Sequence, residues 1–331
     1  MLTTESFCAD IVEEIVKKLE YDHSTLHSCI LANRTWCQVT IPVLWRDPFS
    51  FVRKKPDNES ENKRLESLFL TCLRYLHGEK ALITTLPDFE EQNKHENFPI
   101  VNYKTTFNYL AYITHFDDSV IFRSIFRILR RIKPTTLIEA KNTFISFISM
   151  LLSHSRNIHS LNISSSTYFV NSLNPMEEIF SPFTSFFSSI STQHTKIKWL
   201  QIHIDSHNMY TEILLDNVLS VIEAQKELTE FSFTVKEFDW REFLLDIEFM
   251  RLLLICLGEK TDNASKLKLE RVEFVGCDFD GCIWDDGEVL FENVSEVVFD
   301  TCINLDDEIL SGLEFRMEKT IIGKRVSYET N

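Results

Sequence analysis

The nine residues Leu269-Glu270-Arg271-Val272-Glu273-Phe274-Val275-Gly276-Cys277 recur as Val294-Ser295-Glu296-Val297-Val298-Phe299-Asp300-Thr301-Cys302, 25 positions further on. In both copies an apolar residue is followed three, five and eight places later by Val, Phe and Cys. Apolar residues two apart share one side of a β-strand, because successive side chains alternate between its faces. Upstream the same apolar-x-x-apolar-x-apolar pattern appears as Ile158-Leu161-Ile163, Ile197-Leu200-Ile202 and Leu228-Phe231-Phe233. Helix-like runs lie between the copies, at Met176 to Ile190, Tyr210 to Ala224 and Phe243 to Leu257. A short strand followed by a helix, repeated, predicts a parallel sheet whose helices cover one side.

The 25-residue step falls within the ~20–29 residues of leucine-rich repeats, and the last two copies look like the cysteine type, whose Cys buries at the turn after the strand. The earlier steps of 39, 31 and 41 residues are longer and uneven, so they read as repeats with enlarged helices. An ordinary α/β domain is the alternative. On the solenoid reading, the strand positions between the apolar ones, Asn162, Gln201, Ser232, Glu273 and Val298, are candidates for contact with a partner. Phe180, Phe183, Phe186 and Phe187 are spaced for a buried helix face instead.

Ahead of the repeats the chain reads as helical. Helices are expected at Asp118 to Arg131, ending before Pro134, and at Asn142 to His154. Helical spacing also runs from Leu65 to Leu76, after a polar run from Arg53 to Lys63 with the composition of a linker. Three regions follow: 1–50, a mostly helical 51–155, and 156–331.

Composition bounds the function. With 44% hydrophobic residues, 12% aromatics and 25% charged residues, the 331-residue chain can build a large core and is neither disordered nor collagen-like. Fifty acids against 34 bases give a net charge of -16, which repels phosphate backbones, and no basic patch offsets it. Nucleic-acid binding is therefore not expected. The amino terminus lacks a basic and an apolar signal region, and the longest apolar runs fall short of the ~20 residues that cross a bilayer. A cytoplasmic or nuclear protein is expected, its eight cysteines reduced and structural.

Enzyme signatures are weak. The seven glycines form neither phosphate-binding loop, and no H-E-x-x-H or G-x-S-x-G occurs. Asp278 to Glu288 is rich in carboxylates, but its glycines miss the sixth position that a calcium-binding turn requires. His23 and His27 share a helix face without a completing ligand pair. We expect no catalytic residues, no metal and no cofactor.

The first fifty residues carry the remaining signal. Phe7, Ile11, Val12, Ile15, Val16 and Leu19 form one face of an amphipathic helix, with Glu13, Glu14, Lys17 and Lys18 opposite. Asp22 or Ser24 can cap a second helix carrying Leu26, Ile30 and Leu31. Trp36, Val39, Ile41, Val43, Leu44 and Trp45 follow, with Pro42 expected to end or begin an element. Three short helices with this many large apolar side chains exceed their own small core, and the excess is a candidate interface.

The stretch Phe7 to Leu19 resembles the opening of the F-box, usually Leu-Pro-x-Glu-Ile/Leu before an apolar stripe. Leu26-His27-Ser28-Cys29-Ile30-Leu31-Ala32-Asn33-Arg34-Thr35-Trp36 is similar to the second F-box signature, and Ile41-Pro42-Val43-Leu44-Trp45 to the closing Leu-Trp in the form common among fungal members. Two positions depart from the pattern: Cys8 replaces the usual helix-starting proline, and Asn33 stands where a second Cys often sits. The resemblance implies docking to a Skp-type adaptor, and through it to a cullin scaffold. Phe7, Cys8, Ile11, Leu31, Leu44 and Trp45 are the expected contacts, as apolar anchors on successive turns.

The architecture expected overall is an α/β chain: a three-helix F-box followed by an irregular βα solenoid. Its function would be that of a non-catalytic substrate receptor in a Skp-cullin-F-box ubiquitin ligase. The alternative is a repeat scaffold whose F-box-like helices only cap the solenoid. Between Val272 and Glu308 stand 12 acids and no Lys or Arg, so a target with a basic segment is expected at that end, with Asp285 and Asp286 as candidate contacts.

Overall fold

The structure is a computed structural model. It describes residues 4–49, 107–132, 137–155, 157–165, 186–205, 211–236, 247–259, 269–277, 294–302 and 319–322, with short pieces at 63–64, 67–69 and 71–72 and the single residues 279 and 305. The chain divides into two compact units, one of residues 1–116 and 120–158, the other of 117–119 and 159–331.

The first unit begins with three helices, α1 (Thr4–Lys18), α2 (His23–Ala32) and α3 (Arg34–Leu44). Val12 and Val16 of α1, one turn apart, bury against Leu26 of α2, and Leu19, Trp36, Val39, Val43 and Leu44 pack around them. Asp22 caps α2: its carboxylate accepts the Thr25 N–H at 3.0 Å and the Thr25 hydroxyl at 2.6 Å. Asn33 closes α2 and caps α3 by accepting the Trp36 N–H at 3.1 Å, so the two helices meet with a single residue between them. Pro42 corrects an expectation, for it lies inside α3 rather than at an end. Its missing N–H costs one bond near the helix terminus, where the final turn is closed instead by the Trp45 N–H donating to the Ile41 carbonyl at 2.9 Å.

After α3 the Arg46 carbonyl accepts the N–H groups of Thr114 and His115, at 3.0 and 3.1 Å. This ties the end of the three helices to a short 3-10 turn, Tyr109–Tyr112, and to strand β1 (His115–Asp117). Helix α4 (Asp118–Ile132) ends before Pro134 as expected, and α5 (Leu137–His154) starts five residues earlier than the periodicity suggested. Val120, Ile121, Ile125, Ile128 and Leu129 of α4 are buried, as are Phe144, Phe147, Ile148, Leu151 and Leu152 of α5. Phe144 meets Phe122 edge-on at 5.4 Å, and Phe147 packs on Phe69 at 5.1 Å. Phe69 and Cys72 lie among helical residues of the segment expected to be helical, and both are buried.

Among the described residues the sheet carries seven strands in chain order, β1 through β7. After β1 come β2 (Ser160–Ser164), β3 (Trp199–Asp205), β4 (Glu230–Lys236), β5 (Arg271–Val275), β6 (Glu296–Asp300) and β7 (Lys319–Ile322). Each of β2 to β6 pairs in parallel with the next. Helix α6 (Thr211–Ala224) joins β3 to β4, and α7 (Ile247–Glu259) lies between β4 and β5. The five apolar patterns coincide with β2 to β6, and the register aligns them residue for residue. Leu161, Leu200, Phe231, Val272 and Val297 stand side by side, as do Ile163, Ile202, Phe233, Phe274 and Phe299. Both rows are buried. Each such side chain contributes roughly 1.5–3 kcal/mol by leaving water, so a one-residue slip of a strand would turn both of its core side chains to the other face.

The entry to each strand is made the same way four times. The carbonyl of His159 accepts the N–H groups of Lys198 and Trp199, Lys198 those of Thr229 and Glu230, Thr229 those of Glu270 and Arg271, and Glu270 those of Ser295 and Glu296. A helix-exit clamp adds to the third strand, where buried Gln225 accepts the Ile197 N–H and donates to the Val221 carbonyl. Strands β1 and β7 were not foreseen, since three and four residues are too few for an alternation to register.

Candidate protein-interaction surfaces

Two places in the chain collect the residues singled out by sequence. The first is the outer side of α1 and α2. Helix α1 turns Val12 and Val16 inward, so Ile11 and Ile15, one position behind each, fall outside that stripe. Ile11 is 47% exposed and Leu31 of α2 is 84% exposed, which water disfavours for side chains of this size. Asp10, Ile11, Glu14, Ile15 and Lys18 line an open depression along α1. Around it Lys17 pairs with Glu13 and Glu14, each at 3.0 Å. These contacts raise the Lys17 pKa, first through the hydrogen bond to Glu14.

Leu44 and Trp45 stand differently. Leu44 packs on the Val12–Val16–Leu26 core, and the half-buried indole of Trp45 stacks on Tyr109 with ring centroids 4.6 Å apart. Both side chains therefore already serve the packing of their own unit. Burial raises the Tyr109 pKa. Phe7 and Cys8 belong to α1, but their side chains lie outside the described residues.

The second place is the face of the sheet opposite the Leu, Val and Phe rows. Here Asn162, Gln201, Ser232, Glu273 and Val298 form one continuous row across β2 to β6, at successive register positions. Sequence placed them on one face. It did not show that Ser232, at 3% exposure, and Val298 are nearly enclosed. Asn162, Gln201 and Glu273 are half-buried. Asn162 donates from Nδ2 to Asp117 at 3.3 Å, yet its Oδ1 and the Ser232 hydroxyl are buried without a hydrogen-bond partner among the described residues. Arg271 bonds Glu296 at 3.0 Å and lies 3.5 Å from Glu273. By register the same face also carries Glu230 and Asp300. Asp285 and Asp286 lie outside the described residues.

The repeat cysteines sit at the strand ends. Cys277 and Cys302 are buried, and their thiols face carbonyls of the preceding strand, Phe233 at 3.9 Å and Phe274 at 3.4 Å. The hydrogen bond from Cys277 lowers the Cys302 pKa. Two structural features of this region escaped the sequence reading. Asp118 is fully buried, and both its carboxylate oxygens accept the Ser164 N–H at the end of β2, at 3.0 and 2.9 Å. Gly276 takes a left-handed φ of 66°, and the register-equivalent Thr301 one of 55°. The superposition of the two nine-residue copies, with Gly opposite Thr, held that signal.

Among the described residues no group of His, Cys, Asp and Glu could hold a metal ion, and no helix is long and apolar enough to cross a membrane. Comparison with protein-family models, with curated proteins and with solved structures returned no match.

Proposed function

We propose that this chain is a non-catalytic substrate receptor of a Skp-cullin-F-box ubiquitin ligase. Its first three helices dock a Skp-type adaptor, and a βα solenoid of leucine-rich-repeat type binds the target protein. The observation that carries the reading is the exposure of Ile11, Ile15 and Leu31 on helices whose other sides already share a closed core. A helix pair that has satisfied its own packing and still presents large aliphatic side chains is suited to lie against an apolar groove of a partner. The parallel strands in chain order and the fourfold strand-entry hydrogen bonds support the solenoid part. The target surface would be the row from Asn162 to Val298, with the acidic run that includes Asp285 and Asp286 beside it in sequence.

A second reading draws on Trp45 and Arg46, whose contacts with Tyr109, Thr114 and His115 knit the three helices into the following segment. On that reading the helices are a structural part of an interaction scaffold and bind no adaptor. Co-purification of the full chain with a purified Skp-type adaptor separates the two. Stable capture supports the receptor, and its absence with a folded chain supports the scaffold.

A further inference from the structure

We propose that the outward face of α4 is a docking surface for an acidic, amphipathic segment of a partner protein. It lies on neither α1 nor the sheet row, and it rests on neither half of the receptor reading. Between Ser119 and Ile138 the chain places five bases and no Asp or Glu, in a molecule whose net charge is -16. Interleaved with apolar residues, these bases do not read as a patch along the sequence. The helix gathers three of them on one side, which corrects the expectation that no basic patch exists. Arg123, Arg127 and Arg130 fall within an arc of about 60° and span about 10 Å along the helix axis. Arg123 and Arg130 are exposed and Arg127 is half-buried, while Ile121, Ile125, Ile128 and Leu129 take the other side and are buried.

Beside the arginines runs a ladder with one step per turn. Phe122 and Phe126, both half-buried, stack with ring centroids 6.0 Å apart and planes 11° from parallel, and the Arg130 guanidinium carbon lies 5.2 Å from the Phe126 centroid. The ring holds the guanidinium by cation–π attraction, so less freedom is lost when it pairs with a carboxylate. The arrangement states the partner's chemistry: carboxylates at turn spacing to meet the guanidinium groups, and apolar side chains beside them to cover the rings. An amphipathic helix with acids at i, i+4 and i+7 supplies both. A nucleic acid supplies only the charge, and its phosphates continue past a stripe about 10 Å long toward a chain of net charge -16. At 0.1 M salt, repulsion beyond roughly 10 Å is screened while ion pairs in contact persist, so a short acidic helix can approach.

The test uses the full chain without adaptor. Fluorescence anisotropy at about 0.1 M salt would follow a labelled alanine-based helical peptide of about 18 residues, with three glutamates at that spacing and leucines beside them. The same peptide with glutamine or lysine for glutamate, and a single-stranded DNA of about the same charge, are the comparisons. The expected result is saturable binding of the glutamate peptide and at least tenfold weaker binding of the glutamine form. The Arg123→Gln, Arg130→Gln double variant should weaken the glutamate peptide at least tenfold. Lys196→Gln with Lys226→Gln, which removes the same charge at two exposed lysines outside α4, should change it less than twofold. Arg123→Glu with Arg130→Glu should lose the glutamate peptide and take the lysine peptide instead, which unfolding would not produce. The surface is overturned if the glutamate peptide does not bind, if the glutamine form binds equally, or if the lysine pair matters as much as the arginine pair. Failure of the charge-reversed chain to take the lysine peptide, or tighter binding of the DNA than of the glutamate peptide, overturns it as well. Adaptor capture is measured separately, so the receptor reading stands or falls on its own experiment.

Discussion

A Cβ on Gly276 would stand 2.5 Å from the carbonyl oxygen of Val235, on the neighbouring strand. The backbone there also takes a left-handed φ of 66°, and its N–H donates to the Asp300 carbonyl at 2.8 Å. One repeat later Thr301 holds the same kind of conformation without glycine's freedom.

The two positions should therefore respond in opposite directions. Gly276→Ala combines left-handed strain with overpacking against backbone and should cost about 2–4 kcal/mol. Thr301→Gly relieves the strain and should be neutral or gain up to about 1 kcal/mol. Urea denaturation monitored by circular dichroism reads both.

The cap of α2 gives a pH dependence. The hydroxyl and N–H of Thr25 hold the Asp22 carboxyl below its ordinary value of 3.8. A depressed folded-state pKa means that the cap's contribution is fully present above that ordinary value and is lost as pH falls through the lower, folded one. The stability advantage of the natural chain over Asp22→Ala should accordingly be constant from pH 5 to 7 and shrink below about pH 3.8. An advantage that persists unchanged at pH 2 would show that the carboxylate is not what caps the helix.

Cys72 should be chemically silent. Complete burial pushes its thiol up to about 12, so almost no thiolate exists at pH 8. Iodoacetamide followed by peptide mapping should label the half-exposed Cys29 and Cys37 in the native chain, and Cys72 only after denaturation. Native labelling of Cys72 at the rate of Cys37 would contradict the packing of that helix against Phe147.

Much of this architecture was legible in the sequence because burial is periodic. Leu161, Leu200, Phe231, Val272 and Val297 mark strand positions by spacing alone, and the register then joins them into one row. The helices at α1, α2, α4 and α5 announced themselves by the same logic at a period of three to four. What stayed hidden depends on tertiary partners. Pro42 reads as a breaker until the Trp45 N–H is seen closing the turn beyond it. Asp118 reads as a helix start, and nothing local tells that it clamps Ser164 across 46 residues. Among the candidate contacts, spacing could not separate Leu31, which is exposed, from Trp45, whose ring is engaged by Tyr109.

That difference decides how docking should be tested. Trp45→Ala removes a stacked aromatic and would weaken the fold together with any interface, so its effect on binding is ambiguous. Ile11 and Leu31 lie outside the core of the three helices, and their replacement by aspartate should leave stability within about 0.5 kcal/mol. Titration calorimetry of a purified Skp-type adaptor into the natural chain and into the Ile11→Asp, Leu31→Asp double variant is the most direct measurement. Binding by the natural chain and a loss of about 2 kcal/mol or more in the variant, with an unchanged melting temperature, is the expected result. No binding by the natural chain, or equal binding by both, would contradict the receptor function.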